Sequence, residues 1–146
     1  MNVGQATIDL IKSFEGLETK AYQDVAGVWT IGYGHTDGVQ RGDKITEDEA
    51  EELLRQDIAL FAAGVKELVP DNLPPNQFGA LVSFAYNVGL SALRKSTLLR
   101  EVNEGNHVKA AAEFYRWTLA GGERRLGLLR RRRAESEFYL PTDYLD

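Results

Sequence analysis

Apolar side chains recur every three or four positions through most of the chain, which is the spacing of amphipathic helices. The first such segment, residues 3 to 15, places Ile8 and Ile11 on one face and is followed by Gly16. Glycine is the usual residue for the left-handed stop after a helix. The pattern therefore predicts an N-terminal helix whose last turn contains Glu15.

Residues 20 to 40 have a different pattern, in which β-branched and aromatic residues alternate with glycines. This composition favours strands, and the glycines mark turns or close approaches of the main chain. We expect a small antiparallel sheet or a pair of hairpins, with turns at Ala26-Gly27 and Asp37-Gly38.

Helical spacing resumes after Thr46-Glu47-Asp48-Glu49, which is a capping box. It predicts a long amphipathic helix over residues 47 to 68, which ends before the prolines at 70, 74 and 75. Further helical segments follow: one stops at Gly89, short ones begin near Ser91 and Ser96, another runs from Val108 to Leu119, and a last one follows.

These elements predict an α+β fold that is mostly α. The chain has 146 residues, the size of one ordinary domain. The proline-containing junction divides it into a small β-hairpin lobe at about residues 16–46, a connecting helix at about 47–68 and a larger helical lobe at about 75–140. We expect the N-terminal helix to lie beside a cleft between the lobes, within a single domain over residues 1–146.

Composition excludes several kinds of site. Hydrophobic residues make up 43% and charged residues 27% of the chain, as in soluble globular proteins. Cysteine is absent and the two histidines are isolated, so we expect no disulfide, no metal and no cofactor. The N-terminus has neither a basic region nor a long apolar run, so we expect no signal peptide and no direct membrane insertion.

The net charge of −5 is spread unevenly. Residues 43 to 57 are mostly acidic, whereas residues 116 to 133 contain seven arginines and one acid, Glu123. A basic run can attract an anionic polymer, although nucleic acid is not expected because the overall balance is acidic. For most of these arginines we favour a solvated helix face, with Arg131–Glu135 and Arg133–Glu137 as i,i+4 pairs.

Candidate chemistry is concentrated in one stretch, where Glu15, Asp24 and Thr30 lie within sixteen residues. Paired carboxyl groups are the usual machinery of glycoside hydrolysis. The negative end of a helix suits Glu15 to hold a proton, a polar turn suits Asp24 to stay ionised, and the Thr30 hydroxyl could position a water. On spacing alone, surface charges and an ordinary strand threonine remain the commoner explanations.

The residues after Thr30 are candidates for substrate binding. Tyr33 could stack on a sugar ring, and Gly34 and His35 could form the floor of a cleft because glycine lets a main chain approach a ligand. For His35 we favour a structural hydrogen bond in a tight turn.

The motifs FEG and AYQDVAGVWTIGYGHT resemble the signature of the phage-type lysozymes, or endolysins. The family pattern is Glu, eight residues, Asp, five residues, Thr, and Glu15, Asp24 and Thr30 match it. The segments QFGALVSFAYNVG, STLLREVNEG, FYRW and GLLRRRRAE also resemble the family, so the likeness spans roughly residues 5 to 140.

The resemblance implies a bilobal lysozyme fold and hydrolysis of the β-1,4 bond between N-acetylmuramic acid and N-acetylglucosamine in peptidoglycan. Glu15 would be the general acid, Asp24 and Thr30 would handle the attacking water, and Arg131 or Arg132 would pair with Glu15. It further implies a monomer that stays in the host bacterial cytoplasm until release to the wall. The resemblance favours direct attack by water, and a covalent intermediate on Asp24 is the alternative.

Two other functions remain open on the sequence alone. A lytic transglycosylase shares the fold but closes an anhydro ring, and it can work with a single Glu, so Asp24 and Thr30 argue against it. A non-catalytic wall-binding or assembly module would be favoured by loss of Glu15 or Asp24, and both residues are present.

Overall fold

The computed structural model describes residues 3 to 141. Within that range the α-helices are α1 (Gln5–Glu15), α2 (Glu47–Lys66), α3 (Pro75–Val88), α4 (Leu90–Lys95), α5 (Thr97–Asn103), α6 (His107–Glu113) and α7 (Leu126–Tyr139). The strands are β1 (Glu18–Gln23), β2 (Trp29–Gly32), β3 (Leu119–Ala120) and β4 (Glu123–Arg124), and a 3₁₀ turn covers Phe114–Arg116. The predicted α+β, mostly α class is confirmed.

The predicted β-hairpin is present. Strands β1 and β2 pair antiparallel, with Tyr22 opposite Thr30 and Gln23 opposite Trp29. A turn at residues 25–26 joins them, and a second turn covers residues 37–38. The hairpin therefore places Asp24, which follows β1, opposite Val28, which precedes β2.

Both ends of α2 follow from the sequence. The Thr46 hydroxyl accepts from the Glu49 amide at 3.1 Å, and the Glu49 carboxylate accepts from the Thr46 amide at 3.0 Å. This is the predicted capping box, which satisfies two amide groups that a helix start leaves unpaired. The helix ends at Lys66, two residues before the predicted end.

The helix expected from Val108 to Leu119 is shorter than predicted. It ends at Glu113, and Trp117 leaves helical geometry with φ −105° and ψ 55°. The following residues instead form the two-residue strands β3 and β4, joined by Gly121 and Gly122. Ser96 caps α5 as expected, but Gly89 is the residue that precedes α4, and Ser91 is not its cap.

Helix α3 is the centre of the core, because α1, α2, α4 and α7 all pack against it. Its buried side chains include Phe78, Leu81 and Phe84. Gly79 allows α1 to approach closely, since a Cβ at Gly79 would lie 2.1 Å from the Thr7 hydroxyl oxygen. Helices α1 and α7 therefore both pack against α3.

No helix between residues 3 and 141 is both long enough and apolar enough to span a membrane. The division of the chain into two lobes of one domain remains a prediction.

Candidate active site

Glu15 is the last residue of α1, and Gly16 ends the helix with φ 65°. Its side chain is 19% exposed. The carboxyl group lies directly against Gly34, where φ is 87° and an added Cβ would be 3.0 Å from Glu15 Oε1. The turn after β2 therefore packs onto this carboxyl group only because residue 34 has no side chain.

Arg131 of α7 is the cation that contacts Glu15. Its Nη1 donates to Glu15 Oε2 at 2.6 Å, and Arg131 is 4% exposed. Two further contacts hold the guanidinium: Nη2 donates to the Ser83 carbonyl at 3.0 Å and Nε donates to Glu135 Oε2 at 3.2 Å. Arg131 Cζ lies over the Phe14 ring, 5.7 Å from its centre.

Arg132, the other candidate partner of Glu15, has different contacts. It is fully buried, and its Nη2 donates to Asn87 Oδ1 at 2.9 Å. Its Nε lies 2.7 Å from Glu135 Oε1, although the N–H is not aligned with that oxygen for a hydrogen bond. Of the two arginines, Arg131 alone makes the direct ion pair with Glu15 among the described residues.

Asp24 and Thr30 are brought together by Val28. The Val28 carbonyl accepts from the Asp24 amide at 2.9 Å and from the Thr30 hydroxyl at 2.9 Å. Asp24 Oδ1 accepts in return from the amides of Ala26 and Val28, both at 2.9 Å. One carboxylate oxygen thus holds the turn, and Oδ2 accepts no hydrogen bond from the rest of residues 3–141.

Tyr22 is affected electrostatically by both Glu15 and Asp24. Burial raises the pKa of Tyr22, and the negative charges of Glu18, Glu15 and Asp24 raise it further. A phenol responds to carboxylates only when they lie near it, because such interactions weaken with distance and solvent screening. Glu15 and Asp24 therefore both lie within electrostatic range of the Tyr22 hydroxyl, although they are on different elements.

The three candidate substrate-binding residues differ in their placement. Tyr33 is 4% exposed, and its carbonyl accepts from the Tyr86 hydroxyl at 2.8 Å. Its ring lies in the core, so the expectation that it stacks on a sugar is wrong. Gly34 and His35 remain at the surface of the cleft.

His35 makes the structural contacts expected of it. Its Nδ1 lies 2.7 Å from Asp57 Oδ2, and its Nε2 lies 2.9 Å from the Asp37 carbonyl. Because both ring nitrogens face acceptors, the ring ties the turn after β2 to helix α2.

Two hollows flank Glu15. One, of about 250 Å³, is lined by Gly34, His35, Thr36, Asp37, Asp57, Phe61 and Tyr86. The other, of about 350 Å³, is lined by Phe14, Glu15, Asn87, Arg125, Gly127, Leu128 and Arg131. Gly34 lines the first hollow and Glu15 lines the second, and these two residues lie next to each other.

A larger cavity of about 420 Å³ lies elsewhere, between α1 and α2. Its lining is Val3, Ile8, Arg55, Ile58, Ala59, Ala62, Ala63 and Lys66. It contains no acid, so its size does not make it the better candidate for acid–base chemistry.

A buried cluster on α7 supports the site. Glu135 is fully buried and accepts from the Ser83 hydroxyl at 2.6 Å and from Arg131 Nε at 3.2 Å. Burial raises the pKa of Glu135, while Arg132 and Arg131 act in the opposite direction. Burial likewise lowers the pKa of Arg132, and Glu135 opposes that effect.

The solvated-face interpretation of the basic run is wrong for Arg131, Arg132 and Glu135, because α7 packs this side against α3. It is confirmed for Arg133 and Glu137, which are exposed and pair at 3.2 Å. The i,i+4 spacing of Arg131 and Glu135 was visible in the sequence, but only the structure shows that this pair is buried. Sequence reasoning missed the supporting residues Asp57, Ser83, Asn87 and Glu135.

No cluster of three or more potential metal ligands occurs among residues 3–141. The arrangement instead offers a carboxyl group in a cleft, a second carboxylate with one uncommitted oxygen, and a hydroxyl beside it. These are groups for transferring a proton and positioning a water.

A family model described as phage lysozyme matches residues 12–135. An endolysin of Bacillus phage B103 is 51% identical over 143 residues, which are 96% of this chain and 54% of that protein. An endolysin of Acyrthosiphon pisum secondary endosymbiont phage 1 is 42% identical, covering 95% of this chain and 98% of that protein.

Among solved structures, the muramidase domain of SpmX from Asticaccaulis excentricus superposes with a TM-score of 0.89 at 41% identity. The match covers 95% of this chain and 97% of that one. The chain spans about half the length of the first curated relatives it matches.

Proposed function

The chain belongs to the phage lysozyme family, and from that premise we propose that it lyses bacterial cell walls by hydrolysing peptidoglycan. The bond cleaved is the β-1,4 link between N-acetylmuramic acid and N-acetylglucosamine. One observation carries this proposal: the Glu15 carboxyl group lines one hollow and lies against Gly34, which lines a second hollow. Relatives named endolysin and a neighbour named a muramidase domain support it.

Glu15 is the general acid of the proposed reaction. It donates its proton to the glycosidic oxygen as the bond to the leaving sugar breaks, which is the role of one carboxyl group in glycosidases. Gly34 fixes one side of the carboxyl group and Arg131 the other. After proton transfer the carboxylate is anionic, and Arg131 stabilises that charge.

Asp24 and Thr30 position the attacking water. The Thr30 hydroxyl donates to Val28, so its oxygen is left to accept a hydrogen bond from water. Asp24 Oδ2 accepts the other water proton and acts as the base, which aims the water oxygen at the anomeric carbon. This is direct displacement with inversion, and it leaves no covalent bond to the protein.

The glycan strand lies across both hollows, so sugars bind on each side of Glu15. Gly34 and His35 form the floor of one hollow, while Arg125 places a cation in the other. Peptidoglycan carries carboxylates on its peptides, and a cation at the cleft suits it despite the net charge of −5. The proposed enzyme works as a monomer without a cofactor and leaves the host cytoplasm to reach the wall.

The test is mass spectrometry of purified peptidoglycan digested by the wild type and by Glu15→Gln. We expect reducing muramic acid ends, each containing one added water, from the wild type and almost none from the variant. Glu52→Gln on the exposed face of α2 is the matched control and keeps full activity.

Other products would contradict the proposal. Fragments lighter by one water would identify a transglycosylase and would remove the role of Asp24. Absence of products from a folded wild-type protein that binds the wall would identify a binding module. Hydrolysis by Glu15→Gln at the wild-type rate would contradict the assignment of the acid.

A further inference from the structure

We propose that Glu135 is a positioning residue for Glu15, acting through Arg131: it orients the guanidinium group and balances its charge. In this role it lets the Glu15 carboxyl group keep the proton that it must donate. The inference rests on the proposed function, since it concerns the acid of that reaction.

Glu135 helps to orient the guanidinium group of Arg131. Arg131 bridges two carboxylates, with Nη1 on Glu15 at 2.6 Å and Nε on Glu135 at 3.2 Å. The guanidinium is planar, so contacts at Nε and Nη2 determine where Nη1 points. Glu135 is itself held by the Ser83 hydroxyl at 2.6 Å. The contact to Glu15 is therefore set from the buried side by Glu135 and by the main chain of α3.

Glu135 also balances the charge of the cluster. Glu15 and Glu135 carry two negative charges when ionised, and Arg131 and Arg132 carry two positive charges. All but Glu15 are at least nine-tenths buried, so their interactions are screened less than surface pairs. With Glu135 ionised the cluster is neutral, and the arginines exert a reduced pull on the Glu15 carboxylate.

The negative charge of Glu135 therefore weakens the tendency of Arg131 to keep the Glu15 carboxyl group ionised. A cation beside a carboxyl group favours its ionised form, which cannot donate a proton. Without Glu135, two cations would act on Glu15 alone. With Glu135 present, Arg131 can hold Glu15 in place without locking it in the ionised form.

The other groups near Glu15 do not supply this balance. Among the described residues, Tyr22 of β1, Tyr86 of α3 and Arg132 of α7 are influenced by the charge of Glu15, Arg131 of α7 contacts it, and Arg125 lines the same hollow. Both tyrosines have raised pKa values, chiefly through burial, and stay neutral. Asp24 acts on Tyr22 from the hairpin turn. On the α7 side, Glu135 is the buried anion that contacts both arginines.

The test compares pH profiles of kcat/KM for a soluble peptidoglycan fragment. We expect Glu135→Gln to move the alkaline decline of activity to lower pH by about one unit, as for loss of one nearby charge. We expect Arg132→Gln to move it to higher pH. The double variant restores neutrality and brings the decline back toward the wild-type position.

Opposite shifts distinguish this role from a merely structural one, because loss of packing would not reverse with the sign of the removed charge. Glu137→Gln and Arg133→Gln are matched controls on the exposed side of α7 and leave the profile unchanged. Unmoved profiles, or shifts in the same direction, would overturn the proposal. If Glu135→Gln does not fold, Arg132→Gln and the double variant decide by the same criteria.

A second measurement separates this inference from the proposed function. The carboxyl carbon of Glu15 can be followed by NMR through a pH titration of each variant. If the wild type hydrolyses no glycan, the proposed function fails, while opposite movements of this titration would still support the role of Glu135. If the wild type is active but the titration of Glu15 is the same in every variant, only the role proposed for Glu135 is refuted.

Discussion

The Glu15 carboxyl group occupies the space that a side chain at Gly34 would need. An added Cβ would lie 3.0 Å from Glu15 Oε1, and Gly34 has φ 87°, which favours glycine. A residue after β2 therefore determines where a residue at the end of α1 can lie. Two segments nineteen residues apart in the chain together define the position of one carboxyl group.

Gly34→Ala should reduce activity far more than stability. The added methyl group displaces the carboxyl group, and small displacements of catalytic groups can cost about 100-fold in rate. The left-handed main chain also costs about 1–2 kcal/mol of unfolding free energy. Lysis rates and urea denaturation measure the two effects.

Gly42→Ala is the control for that variant. Gly42 has φ 89°, but a Cβ added there would have no other atom within 4 Å. It should lose similar stability and keep its activity. Equal activity losses in the two variants would contradict the role of the Gly34–Glu15 contact.

Asp24→Asn should remove hydrolysis while preserving the hairpin turn. An amide oxygen can still accept from Ala26 and Val28, so we expect a small change in unfolding free energy. The amide cannot take a proton from water, and we expect a loss of about 100-fold or more in kcat. Assays on peptidoglycan fragments with Asp71→Asn, at an exposed loop position, as control would measure this. Wild-type kcat in Asp24→Asn would exclude Asp24 as the base.

Arg131→Met should strongly destabilise the protein. The change leaves Glu135, a fully buried carboxylate, with one cation fewer, and breaking a buried ion pair costs about 3–5 kcal/mol. Arg133→Met removes an exposed pair with Glu137 on the same helix and should cost less than about 1 kcal/mol. Urea denaturation of both variants tests the difference, and equal losses would contradict the burial argument.

Tyr86 should make stability fall at alkaline pH. Burial, followed by the charges of Asp57 and Glu15, raises its pKa well above the usual value of 10.0. The unfolded chain loses this proton near pH 10, whereas the folded chain keeps it. Above that pH the unfolded state binds fewer protons, so the unfolding free energy decreases by up to about 1.4 kcal/mol per pH unit.

Tyr86→Phe should show a shallower alkaline decline in urea denaturation at a series of pH values. At neutral pH it should be less stable by about 1 kcal/mol, because the hydrogen bond to the Tyr33 carbonyl is lost. An alkaline slope identical to that of the wild type would contradict the effect assigned to Tyr86.

Local signals in the sequence were sufficient for most elements. The Thr46–Glu49 capping box, the stop at Gly16 and the strand pattern before Thr30 each depend on residues close together in the chain. The helix predicted through Leu119 was wrong in length, because α6 ends at Glu113 and the chain leaves helical geometry at Trp117. Apolar periodicity by itself did not contain that information.

The sequence by itself determined which residues could carry the proposed chemistry, since Glu15, Asp24 and Thr30 lie in one short motif. Only the tertiary structure decided that Arg131 contacts Glu15, that the Tyr33 ring is in the core, and that Glu135 lies in the protein interior. The physical reason is that helical spacing shows which residues share a face, but not which face is covered. For α7 that answer came from its packing against α3.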